Sequence, residues 1–245
     1  MNENESIGNS LIETIISSNV PDVASDLGEI ALDSMLKDGT LRDVPVIGTL
    51  LGVAKTVSAF RDYFLLRKII SFLNGVKDVD PKARKQFAEE MENNPSHRQE
   101  IGGKLMVYID RFDDFDKAAM LAKLFKAHLE HKISTNTFFR FASIVDRAYI
   151  NDLKSLIIAL SGEKYRESPE YAEVFYSLGL SEISFDDKLL TKHVGHLFDS
   201  SSHFPSSFDK FIKFKLTSDA YVLVQILSGN EIGGFDWLKV APIRR

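Results

Sequence analysis

Two pairs of histidines have the residue type and spacing that could bind a metal ion. His128 and His131 stand three residues apart, as do His193 and His196, so each pair would lie on one face of a helical turn. Neither pair is followed by a third ligand at a characteristic spacing, and the chain has no HExxH motif. We interpret these histidines as polar residues near helix ends and predict no metal site.

The densest acidic group consists of Asp110, Asp113, Asp114 and Asp116. A calcium-binding EF-hand loop needs a central glycine and a distal glutamate, and the sequence DRFDDFDKAAM lacks that glycine. Aspartate is also a frequent helix N-cap, and its charge is favourable beside the positive end of a helix. The group therefore predicts a corner between two helices, with these side chains capping the second helix.

Catalytic chemistry has little basis in this sequence. No GxxxxGK[ST], GxGxxG or GxSxG motif is present, and the chain has no cysteine. His203 lies within the serine-rich segment DSSSHFPSS, but a nucleophile and its base must meet in a built pocket rather than along one loop. We predict a non-enzymatic protein with no catalytic residues and no cofactor.

Apolar residues recur at helical spacing through most of the chain as far as Gly162. Short connections between these helices predict an antiparallel bundle. The residue pattern changes after Gly162. The alternation of apolar and polar residues over 208–216 predicts one or two strands. The predicted fold is mainly α, a helical bundle with a small C-terminal α+β unit. Helices are predicted over residues 6–18, 21–37, 81–92, 96–112 and 115–131, with a helical segment over 133–160.

The C-terminal part has the order helix, strand, loop, strand, helix. With the tripeptide LGL at 178–180 and Leu216-Thr217, it resembles the C-terminal half of a winged-helix unit. The segment before the first strand is rich in Glu and Tyr, whereas a helix that reads DNA needs Arg, Lys, Asn or Gln. We therefore expect this unit to bind protein. The predicted organisation is an acidic leader with a membrane-active helical segment (1–78), a helical bundle (79–162) and a winged-helix-like unit (163–245).

Residues 43–76 combine the most apolar stretch of the chain with an unusual placement of charge. On a helical wheel, at about 100° per residue, Arg61 and Lys68 fall near the middle of a broad apolar sector. Such cations are seldom buried in a protein core unless they are paired. The side chains predicted to insert into a membrane or to line a pore are Val46, Ile47, Leu50, Val53, Val57, Phe60 and Phe64.

Three arrangements account for these cations. The helix is part of a soluble core in which Arg61 and Lys68 pair with carboxylates, or it lies in the headgroup plane with its cations reaching lipid phosphate. Alternatively, several copies insert together and Lys55, Arg61 and Lys68 line a wet centre. The apolar run is shorter than the span of about 20 residues that a conventional single-pass anchor needs. Gly48 and Gly52 have a spacing that permits close helix packing.

The net charge of -5 argues against a protein that coats nucleic acid, and the charge is unevenly spread. Residues 1–44 carry nine acidic side chains against two basic ones, whereas residues 45–76 carry four basic and one acidic. The acidic leader could mask the basic helix, or the two could be helices of one bundle with attracting surfaces. The segment MNENESIGNS has no secretory signal, so we expect a cytoplasmic protein.

The sequences VPVIGTLLGVAKTVSAFRDYFLLRKIISFL (44–73) and YIDRFDDFDKAAMLAKLFKAHLE (108–130) together resemble bacterial anti-phage effectors of the abortive-infection type. Within this group, the chain resembles the channel-forming partner of Hailong-type systems. It implies a homo-oligomeric channel in the inner membrane, kept shut by a nucleotide or oligonucleotide ligand or a protein partner until infection. Our leading hypothesis is thus a membrane-acting effector that contacts lipid through residues 45–73. The alternative is a soluble helical regulatory module that uses its winged-helix-like unit.

Overall fold

The computed structural model describes residues 3–17, 43–53, 60–161, 172–185 and 212–229. These residues are mainly helical and contain one two-stranded sheet, which confirms the predicted class at that level. The chain divides into two compact units, residues 1–150 and 151–245. The sequence-based boundary at residues 78/79 falls inside the first unit, and the boundary at 162/163 falls inside the second.

Seven helices of the first unit lie within the described ranges. They are α1 (Glu3–Ile16), α2 (Pro45–Val53), α3 (Phe60–Val76), α4 (Pro81–Asn93), α5 (Pro95–Arg111), α6 (Phe115–Leu129) and α7 (Thr135–Arg147). The eighth helix, α8 (Ile150–Ser161), begins at the boundary between the units. The helix predicted over residues 21–37 lies outside the described residues.

Helices begin at the capping residues that the sequence offers. Asp80 accepts a hydrogen bond from the backbone N–H of Lys82 at 2.8 Å, and Pro81 takes the first position of α4. Asp114 accepts from the backbone N–H of Asp116 at 2.7 Å and caps α6. The predicted corner between α5 and α6 is therefore confirmed.

The helical segment predicted over residues 133–160 is two helices. Ser134 caps α7 by accepting from the backbone N–H of Thr137 at 3.2 Å. The helix ends at Arg147 because Ala148 adopts an extended conformation, with φ -72° and ψ 146°. No proline or glycine marks this break in the sequence, so the helical period alone did not reveal it.

Aromatic side chains from four helices form the centre of the first unit. Phe72 of α3, Phe87 of α4 and Phe138 of α7 lie with ring centroids 5.9, 5.6 and 5.5 Å from the ring of Phe125 in α6. All four rings are buried. Helix α3 packs along α6, and this pair is the main contact of the bundle. The distances are typical of favourable aromatic pairs.

Helices α1 and α5 approach each other until their backbones touch. A Cβ placed on Gly8 would lie 2.7 Å from the carbonyl carbon of Gly102, so neither position has room for a side chain. A Cβ on the adjacent Gly103 would meet no heavy atom within 4 Å in the described part of the chain. The glycine pair in α5 therefore permits the close approach of α1 through one of its two members.

The second unit contains a 3-10 helix (Ala172–Leu178), β1 (Ser181–Phe185), β2 (Ile212–Leu216) and α9 (Ser218–Ser228). The strands pair antiparallel, with Ile183 opposite Phe214. Gly179 has a φ of 72°, which only glycine adopts readily, and its carbonyl accepts from the Thr217 hydroxyl at 3.3 Å. The predicted strand and final helix are confirmed within these bounds, whereas the predicted strand residues before Ile212 lie outside the described residues.

Candidate functional site

Helix α2 is the central feature of the candidate site. Of the helices that the structure describes, it alone has no charged residue. The side chains of Val46, Ile47 and Leu50 are buried, and α1 is the described element with which α2 packs most extensively. The most apolar part of the predicted segment is thus buried, and its main neighbour among the described elements is α1.

Three hydroxyl side chains, Ser10, Thr14 and Thr49, join α1 to α2, and we refer to them as the hydroxyl cluster. The hydroxyl oxygens of Ser10 and Thr49 are 2.7 Å apart. The backbone N–H of Val46 donates to the Thr14 hydroxyl at 3.1 Å, and Thr14 itself is buried. Because residue 10 meets 49 and residue 14 meets 46, the two helices run in opposite directions.

Thr14 acts as a helix cap supplied by another helix. The first N–H groups of a helix have no partner within it, and they need one when buried. Thr14 supplies the partner for Val46, while its own hydroxyl donates to the Ser10 carbonyl at 2.8 Å. The hydroxyl cluster therefore satisfies polar groups inside an apolar contact, and it fixes the register of α2 on α1.

Lys68 in α3 is one of the two cations that made residues 43–76 unusual, and its side chain lies inside the first unit. Only 7% of the residue is exposed. Its ammonium donates to the backbone carbonyls of Asp110 at 2.6 Å and Phe112 at 2.9 Å. These carbonyls belong to the C-terminal end of α5, where the helix has unpaired acceptors and a negative dipole end. In this structure the Lys68 ammonium therefore contacts backbone carbonyls of the first unit.

The same arrangement recurs at two other helix ends. Arg84 donates to the carbonyls of Val76 and Lys77 at the end of α3, at 3.2 and 3.0 Å, and burial lowers the pKa of its guanidinium. Lys117 donates to the carbonyl of Asp146 near the end of α7 at 3.1 Å. Three buried cations thus stabilise the C-terminal ends of three neighbouring helices.

Lys117 also forms an ion pair with Asp113 at 2.8 Å. A hydrogen bond from Lys117 lowers the pKa of the Asp113 carboxyl below its ordinary value. The acidic group that the sequence singled out is therefore occupied with capping and ion pairing. No group of three or more metal-binding side chains is found within the described ranges. His193, His196 and His203 lie outside those ranges.

The remaining residues predicted to meet a membrane or pore have different positions. Phe64 is half-buried on α3 and stacks on Phe115, with the ring centroids 5.5 Å apart. Gly48 is half-buried, whereas a Cβ on Gly52 would meet no described heavy atom within 4 Å. The backbones of Val53, Phe60 and Arg61 are helical, but their side chains are outside the described part, as are Lys55 and Val57 altogether.

Sequence reasoning missed the hydroxyl cluster and the location of the Lys68 side chain. A signal for the first exists, because Ser10 and Thr14 lie one turn apart and beside the apolar stripe of Ile7, Leu11 and Ile15. Lys68 gave no such signal, since the carbonyls that accept its hydrogen bonds are backbone atoms 42 and 44 residues away.

No helix in the described residues has both the length and the apolar character needed to cross a bilayer. Comparisons of the chain with protein-family models, curated proteins and solved structures gave no match.

Proposed function

We propose that this protein is a non-enzymatic membrane-acting effector in which α2 moves from the surface of α1 to a lipid surface. The observation that carries the proposal is the burial of an uncharged helix whose main described neighbour is a single helix. The aromatic centre is built from α3, α4, α6 and α7, so moving α2 would leave it intact.

The contacts of Lys68 favour membrane disruption at the interface over a span. A homo-oligomeric channel would need residues 45–73 to insert together, which would remove Lys68 from the carbonyls of Asp110 and Phe112. We therefore favour a form in which α3 stays in the body while α2 lies among lipid headgroups.

The biological setting of the proposal rests on the resemblance to anti-phage effectors. The resemblance implies a protein of the bacterial cytoplasm that a nucleotide ligand or a protein partner keeps inactive until infection. It then acts at the inner membrane. The two sequences that carry the resemblance contain α3 and α6, which pack against each other.

Liposome flotation and dye leakage test the proposed function. Wild-type protein is expected to float with liposomes of phosphatidylethanolamine and phosphatidylglycerol and to release an enclosed dye. Leu50→Glu places a charge on the apolar side of α2 and should abolish both effects while the far-UV circular dichroism stays unchanged. Ile158→Glu is the matched control, because Ile158 is 74% exposed in α8 and should retain leakage. Equal leakage by wild type and Leu50→Glu would refute the role of α2.

A second candidate function is a soluble regulatory module that binds protein through a winged-helix-like second unit. Its support is an apolar surface in that unit, where Val174, Tyr176 and Ile183 are each at least 40% exposed and Tyr176 meets the Phe214 ring edge-on at 5.9 Å. This function predicts a monodisperse protein without detergent and no flotation with liposomes.

A further inference from the structure

We propose that α1 is an autoinhibitory cover for α2, and that the hydroxyl cluster must separate before α2 reaches lipid. This inference rests on the proposed function. It adds a statement about regulation, namely which contact limits the release of α2 and which of the two helices moves.

The contacts of α1 identify it as the fixed partner. Its backbone touches that of α5 at Gly8 and Gly102, and Arg98 of α5 donates to the Asn9 carbonyl at 3.4 Å. A helix packed backbone to backbone cannot shift without losing many close contacts at once. Helix α2 has a single main neighbour among the described elements. The geometry therefore makes α2 the helix that leaves.

The chemistry of the hydroxyl cluster suits a contact that opens. Hydroxyl hydrogen bonds exchange readily for bonds to water, so the hydroxyls of Ser10 and Thr14 can be satisfied after α2 departs. On α2, the Thr49 hydroxyl can turn to the carbonyl of Pro45 one helical turn earlier, as threonine does in apolar surroundings. After the helices separate, each hydroxyl of the cluster therefore has a hydrogen-bond partner, which is water for Ser10 and Thr14 and the Pro45 carbonyl for Thr49.

A reversible disulfide tests the cover directly, because the chain contains no cysteine of its own. In Ser10→Cys/Thr49→Cys, two thiols replace hydroxyls that are 2.7 Å apart. The oxidised variant is expected to lose dye leakage from phosphatidylethanolamine–phosphatidylglycerol liposomes, and reduction should restore it to the wild-type rate. Ser134→Cys/Thr137→Cys is the matched control, since its hydroxyls are 3.0 Å apart at the start of α7 and its disulfide should not affect leakage.

A second variant acts in the opposite direction. Thr14→Val keeps the shape of the side chain and removes the hydroxyl that binds Val46. It should weaken the cover by about one hydrogen bond and raise the leakage rate about fivefold. An unchanged or lower rate would contradict the inference.

The outcomes separate the two proposals. Leakage by both oxidised and reduced Ser10→Cys/Thr49→Cys would overturn the cover and leave the membrane function standing. No leakage by wild type, reduced protein or Thr14→Val would overturn the membrane function and the cover together. Loss of leakage in both oxidised variants would assign the effect to oxidation and refute the cover. Failure of the thiols at positions 10 and 49 to pair would contradict the contact itself.

Discussion

At the scale of single residues, buried cations in this protein serve helix ends. Lys68, Arg84 and Lys117 each donate to carbonyls at the C-terminal end of another helix. An ammonium or guanidinium is costly to bury, but several carbonyl acceptors together with the negative end of a helix dipole offset that cost. These carbonyl contacts explain how an apolar face can contain Lys68.

Replacing Lys68 tests this explanation. Lys68→Met keeps much of the side-chain volume but leaves the carbonyls of Asp110 and Phe112 without the ammonium. We expect the free energy of unfolding in urea to fall by about 1–3 kcal/mol. Lys85→Met is the control, because the Lys85 side chain is 79% exposed, and it should change stability by less than about 0.5 kcal/mol. Equal effects of the two substitutions would disprove the capping role.

The stability of the first unit should also depend on the protonation of His128. Burial between aromatic rings lowers its pKa below the ordinary 6.5, and this outweighs the opposite effects of the Ile133 carbonyl and Glu90. Neutral imidazole is favoured in the fold, so the unfolded chain binds more protons between the two pKa values. The free energy of unfolding is thus retained above pH 6.5 and decreases as the pH falls towards the lower pKa of the folded state.

The free energy of unfolding in urea, measured from roughly pH 7.5 to roughly pH 5.5, tests this dependence. These two values lie on either side of the ordinary histidine pKa. In His128→Gln, the free energy of unfolding should decrease less than in the wild type as the pH falls. His131→Gln, at an exposed position, is the comparison variant. An unaltered pH profile in His128→Gln would assign the decrease to other groups.

At the scale of elements, the crossing of α1 and α5 depends on glycine at two positions. Gly102→Ala would place a methyl group against the backbone of Gly8 and should lower the free energy of unfolding by about 1–3 kcal/mol. Gly103→Ala is the adjacent control with open space, and it should raise stability by about 0.5–1 kcal/mol because alanine is the better helix former. Thermal unfolding of both variants measures the difference, and equal shifts would rule out the close crossing.

At the scale of the whole molecule, the proposed membrane function belongs to the first unit. Helices α1 and α2 and the aromatic centre all lie within residues 1–150. A chain ending at residue 161 retains these elements and α8 complete. We expect it to unfold cooperatively and to release dye from liposomes at the wild-type rate. Loss of leakage with an intact circular dichroism spectrum would show that the second unit is required.

The sequence by itself determined that most of the described segments are helical and where several of these helices begin. Asp80-Pro81, Asp114 and Ser134 are local signals, since a cap bonds N–H groups two or three residues away. It also showed that the most apolar stretch of the chain lies within residues 43–76. The mainly helical class followed from the period of apolar residues alone.

Only the tertiary structure decided where Lys68 and α2 are placed. Lys68 bonds to carbonyls 42 and 44 residues away, and Ser10 meets Thr49 across 39 residues. A helical period states which side chains share a face, but not what that face contacts. Backbone carbonyls are present at every position, so no residue type in the sequence marks the ones that Lys68 binds.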